Sequence, residues 1–111
     1  MSKASSEKTN DVMAQVAIHL ATGFEEVEAL TVVDVLRRAS IDITTVSVTG
    51  DKAVTGSHAI TVMADTLFED MDYSTVDMIV LPGGREGMEN LDAHEGLKKQ
   101  IKAFHEEQKY L

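Results

Sequence analysis

Cysteine is absent from all 111 residues, so this chain forms no disulfide, no thiolate metal site and no cysteine nucleophile of its own. Long apolar runs are missing too. None approaches the ~20 residues needed to span a bilayer, which argues against a membrane partner. Cations are few: 10 Lys and Arg stand against 19 Asp and Glu, for a formal net charge of -9. Binding a phosphate backbone requires clustered basic side chains that release counterions, so nucleic acid is excluded as a partner class. Lys98, Lys99 and Lys102 do cluster, but beside Glu95, Glu106 and Glu107, as on a solvated helix face. Residues 1–14 lack the apolar core of a signal peptide and are read as a disordered leader or expression remnant. A cytoplasmic protein is expected.

What remains, residues 15–111, reads as one α/β domain. With 43% hydrophobic and 26% charged residues, its composition is that of a globular protein. Val16 to Ala21 forms a first strand, and Glu25 to Ala39 a helix. Apolar residues cover more than one stripe of that helix, so it is buried on two sides: one against the sheet, the other against a second subunit or the interior of a monomer. Ser40 occupies a position where a helix-ending glycine would be comfortable. A β-branched strand follows at Ile41 to Val48, then an edge hairpin turning about Gly56-Ser57 within Val54 to Val62. Asp65 to Ser74 is an acidic connector with a short helical turn. Asp77 to Leu81 is a continuous apolar run, as expected of a central parallel strand covered on both faces. Arg85 to Asn90 is a turn or short helix, and Asp92 to Gln108 a second long helix with Asp92 as its N-cap. Tyr110-Leu111 begins another apolar segment. This order predicts a doubly wound parallel sheet.

Open α/β folds bind ligands outside the carboxyl ends of their strands. The first strand leads through Thr22-Gly23 into Phe24-Glu25-Glu26-Val27-Glu28. Glu25 and Glu26 are accounted for as acids offsetting a helix N-terminus. Glu28 lies a turn further in, where that effect fades, and is the candidate acid or base. Pro82-Gly83-Gly84 follows the buried strand, and two amides without side chains offer donors to a developing negative charge. His19, His58, His94 and His105 show no metal-ligand spacing, and no metal is expected. His58, beside a turn, reads as exposed polar surface.

These residues resemble the ThiJ/PfpI family, of flavodoxin-like fold, in its ThiJ-like branch. The resemblance runs from Met13 to Leu111. It is carried by Gly23-Phe24-Glu25-Glu26-Val27-Glu28, by Val33-Asp34-Val35-Leu36-Arg37-Arg38-Ala39 and by Val80-Leu81-Pro82-Gly83-Gly84, in that order. It implies that Glu28 is the acid hydrogen-bonding a nucleophilic cysteine thiolate, and that Gly83 and Gly84 are the backbone donors beside that cysteine. It also implies a homodimer through the first helix, with Val27 and Arg38 at the interface and Arg38 near the site. The implied chemistry is cofactor-independent glyoxalase or deglycase action on methylglyoxal and related dicarbonyls, with oxidative-stress sensing and chaperone roles. Non-catalytic chaperone or sensor function, and a peptidase or amidotransferase-like relative, are the alternatives. The family's cysteine stands on the strand-to-helix turn after the second long helix. The sequence is therefore expected to be an N-terminal portion ending before that turn, inactive alone, its C-terminal half deleted, cleaved off or encoded elsewhere as a separate chain.

Overall fold

The structure is a computed structural model that describes residues 14–107. The expected leader, all but Ala14, and the apolar segment expected to begin at Tyr110 lie outside the described residues. The elements are β1 (Gln15–Leu20), α1 (Glu26–Arg38), β2 (Asp42–Ser47), β3 (Ala53–Thr55), β4 (Thr61–Met63), β5 (Thr66–Leu67), β6 (Met78–Val80), α2 (Arg85–Asp92) and α3 (Glu95–Glu106). Two single-turn 3-10 helices, Phe68–Asp70 and Tyr73–Thr75, carry the acidic connector.

Four strands form a parallel sheet in the order β5-β2-β1-β6, while β3 and β4 pair antiparallel as a separate hairpin. Strand alternation sends successive β1 side chains to opposite faces. Val16, Ile18 and Leu20 pack with Ala29 and Val33 of α1, and Ala17 packs with Ile79, Val76 and Phe104 on the side of α3. The sheet is thus covered on two faces, as a doubly wound fold requires. Burying Ile18 and Leu20 completely contributes roughly 2 kcal/mol each from apolar area.

The apolar run expected to be a central strand is an edge strand among the described residues. Met78–Val80 pairs with β1 over three residues, Val16↔Met78, Ala17↔Ile79 and Ile18↔Val80. The edge pairing is extended by a side chain. His19, fully buried on the α3 face, places Nδ1 3.3 Å from the Val80 carbonyl oxygen and Nε2 2.6 Å from the Tyr73 hydroxyl. Burial is the main influence on this ring and pulls its pKa down to about 4; the Val80 bond opposes the shift and the nearby His94 adds to it.

Two boundaries differ from expectation. Asp92 is the last residue of α2, and His94 is the N-cap of α3, its Nδ1 accepting from Leu97 N–H at 2.9 Å. A capping imidazole is not a preferred N-cap, which is why Asp92 attracted the assignment. The hairpin loop spans Gly56 to Ile60 rather than a tight Gly56-Ser57 turn, with Ala59 at φ 63°. Ser40 does take the left-handed conformation, at φ 61°, and the Ile41 amide closes the helix end on the Leu36 carbonyl at 2.9 Å.

Candidate functional site

Because β1 and β6 are adjacent and parallel, the loops leaving their carboxyl ends meet. The first loop turns at Gly23 and enters α1 through Glu25, whose Oε1 accepts from the Val27 amide at 2.8 Å and the Glu28 amide at 3.4 Å. Glu25 is therefore the N-cap of α1 rather than its first residue. The second loop is drawn against this helix start. Glu25 N–H donates to the Gly83 carbonyl at 3.1 Å, and Gly83 N–H donates to Glu28 Oε1 at 3.0 Å.

The approach is close at both glycines. A Cβ on Gly83 would fall 2.6 Å from Glu28 Oε1, and Gly84 sits at φ 102° with its Cβ direction 3.0 Å from both Glu25 N and Gly23 O. The two amides were expected to serve as a pair of oxyanion donors, and the structure separates their roles. Gly83 N–H is taken by Glu28, while Gly84 N–H has no partner among the described residues. With Oε1 accepting from Gly83, Oε2 is the Glu28 oxygen able to carry a transferable proton. Glu28 is exposed.

The other expected positions diverge. Val27 is 72% exposed, on the outer side of α1 with Leu30 and Val35. Arg38 ends the same helix and pairs with Asp34 at 2.9 Å. Ten residues at 1.5 Å rise put it roughly 15 Å along the axis from Glu28, so Arg38 is not near the site within one chain.

Glu26 is the residue the sequence undervalued. Its side chain is 3% exposed, and it clasps the hairpin loop: Oε2 accepts from the His58 amide at 2.8 Å and the Ile60 amide at 3.2 Å, and Oε1 lies 2.9 Å from His58 Nδ1. Removal from water pushes the Glu26 pKa up, but the bonds from His58 and Ile60 outweigh it and bring the carboxyl to about 2. His58 moves the opposite way, raised chiefly by its hydrogen bond to Glu26 and then by the charges of Glu26 and Glu25. His58 is two-thirds exposed yet hydrogen-bonded to Glu26 through both its ring and its amide, so it is more than polar surface. Glu25, Glu26 and His58 place potential ligand atoms within 4.8 Å of one another. The bonds of His58 and Ile60 to Glu26 make this arrangement a hydrogen-bonded clasp between α1 and the hairpin loop. The signal was hidden because the partners are 32 residues apart.

A profile of the DJ-1/PfpI family matches residues 14–111. Protein DJ-1 homolog B of Arabidopsis thaliana is 42% identical over 88 residues, covering 79% of this chain and 20% of the relative. The Parkinson disease protein 7 homolog of Danio rerio is 36% identical over 84 residues, covering 75% of this chain and 44% of the relative. Among solved structures, oxidized Toxoplasma gondii DJ-1 superposes with a TM-score of 0.83 at 31% identity, covering 86% of this chain and 52% of that one. Drosophila melanogaster DJ-1beta gives 0.80 at 29%, covering 84% and 50%. The chain spans less than half the length of these curated relatives and about half of the solved structures.

Proposed function

The chain belongs to the DJ-1/PfpI family, and from that premise we propose that it supplies the acid and the backbone donors of a cysteine-dependent, cofactor-free site that processes methylglyoxal-type dicarbonyls. The Glu28–Gly83 hydrogen bond carries this reading. It joins an acid from the first strand-to-helix turn to the glycine pair after β6, at the carboxyl edge where open α/β sheets place their chemistry. A thiolate from the remainder of the domain forms the carbon–sulfur bond at the aldehyde carbon. The negative charge then passes to the carbonyl oxygen, which a free backbone N–H such as that of Gly84 stabilises. Glu28 Oε2 is the group that exchanges a proton with the reacting atoms.

The remainder of the domain has a place to dock. The outer edge of β6 is unpaired among the described residues. Beside it, Leu81, Met88, Leu91, Leu97 and Ile101 line a cleft of about 400 Å³. A strand added to that edge, with a helix in the cleft, completes the sheet. We assign a homodimer to the outer face of α1, where Val27 and Val35 are exposed, and a cytoplasmic location.

Methylglyoxal turnover tests the assignment. The 111-residue chain alone is expected to form no lactate. Once a cysteine-bearing polypeptide completes the domain, turnover appears, and Glu28→Gln lowers it by about a hundredfold or more. Turnover by the isolated chain at a rate indifferent to Glu28→Ala overturns the proposal. The second reading, a stress-binding chaperone module, is favoured by the same exposed α1 face. Suppression of client aggregation that survives loss of Glu28, without dicarbonyl turnover by the completed domain, selects it.

A further inference from the structure

We propose that His19 and Tyr73 are positioning residues for this site, holding the end of β6 in the register that presents Gly83 to Glu28. The inference rests on the reading that Glu28 and Gly83 form the site. It is tested on their hydrogen bond rather than on turnover.

The backbone ladder between the two site-bearing strands is short and stops before the site. Its last residue pair is Ile18↔Val80; Gly83 lies three residues beyond Val80, and the turn at Gly23 lies five beyond Ile18. His19 adds the next tie, from side chain to backbone, through Nδ1 and the Val80 carbonyl at 3.3 Å. A bond here requires the proton on Nδ1, because a carbonyl oxygen only accepts. The tautomer is set by the second contact. Tyr73 Oη, 2.6 Å from Nε2, donates its proton to that nitrogen and so assigns the ring proton to Nδ1. Tyr73 is itself fixed by the 3-10 turn it begins and by edge contact with Phe104 of α3, ring centroids 6.3 Å apart.

The relay therefore runs from a connector on the α3 side, through the sheet, to the strand that delivers Gly83. Without it, the part of β6 that precedes the Glu25–Gly83 backbone bond is held to β1 by three residue pairs, and the placing of the Gly83 amide against Glu28 is less defined. A polar ring inside an otherwise apolar strand is costly unless both nitrogens are satisfied. Its two bonds point at the edge strand and at the residue that orients it, which gives the ring a use beyond filling the core.

Amide hydrogen exchange followed by nitrogen–proton NMR on the 111-residue chain tests this. Tyr73→Phe, which keeps the ring but removes the hydroxyl, and His19→Leu are each expected to speed exchange at Gly83 by about fivefold, the effect of losing one ordinary hydrogen bond. The amides of β2, on the other side of β1, keep their rates. Unchanged exchange at Gly83 overturns the proposal. Equal acceleration at Gly83 and throughout β2 also overturns it, since it shows a general contribution to stability rather than positioning. If His19→Leu fails to fold, Tyr73→Phe decides. Failure of methylglyoxal turnover would count against the functional reading and leave this result untouched.

Discussion

Glu28 Oε1 accepts a 3.0 Å hydrogen bond from Gly83 N–H, a contact between residues 55 apart that binds the start of α1 to the loop after β6. Gly83→Ala should break it. The new Cβ would stand 2.6 Å from that oxygen, so the Glu28 side chain must swing away and the amide loses its partner. The expected loss is about 1 kcal/mol, measured by urea unfolding, with a displaced Gly83-to-Ala amide resonance. Wild-type stability together with an unshifted Glu28 carboxyl signal would refute the contact.

Acid should weaken the fold through His19. Its folded pKa, about 4, lies below the ordinary 6.5, so between these values the unfolded chain binds more protons than the folded one. Stability from this residue is complete above pH 6.5, falls as the pH drops, and is gone below about 4. The largest loss is about 3 kcal/mol. Urea midpoints at pH 7 and pH 4 should differ more in the wild type than in His19→Leu; equal differences would show that the ring does not titrate this way.

Ser40→Gly should stabilise the protein. Ser40 closes α1 at φ 61°, a conformation that costs an L-residue roughly 1–2 kcal/mol; glycine relieves that strain, and its greater freedom when unfolded offsets part of the gain. A net gain of about 0.5–1 kcal/mol should appear as a higher melting temperature in calorimetry. A lower one would contradict the cap geometry.

Glu26→Gln should loosen the hairpin and little else. Two amides and the His58 ring converge on this carboxylate, and a neutral amide side chain replaces one acceptor oxygen with a donor. Hydrogen exchange at His58 and Ile60 should accelerate while β2 is unaffected. Unchanged rates at both amides would remove Glu26 from this role.

Much of the fold was legible because period and punctuation agree. The β-branched and apolar runs at Val16 to Ala21 and Ile41 to Val48 became β1 and β2, and Pro82-Gly83-Gly84 marked the end of a strand. Glu28 was separable from Glu25 because a cap and a residue one turn further in meet different fields. Local pattern says nothing about partners distant in sequence. The pairing of Glu26 with His58 and that of His19 with Tyr73 each close a loop of more than 30 residues, so neither leaves a periodic trace. The His94 cap was missed because Asp92, two residues earlier, has the stronger intrinsic preference for that position. Arg38 was placed near the site by resemblance, and helix length alone separates them within one chain.

The short edge ladder of β6 also has a kinetic meaning. Helix α1 can nucleate from neighbouring residues, and β1 meets β2 across one helix, but Glu28 finds Gly83 only after a 55-residue loop closes. The entropy of that closure is offset by three edge pairs, the His19 tie and the Glu25–Gly83 backbone bond, so this contact belongs to the late, slow part of folding. During synthesis the first acid emerges from the ribosome long before the glycine it needs, and must wait in water until the sixth strand is made.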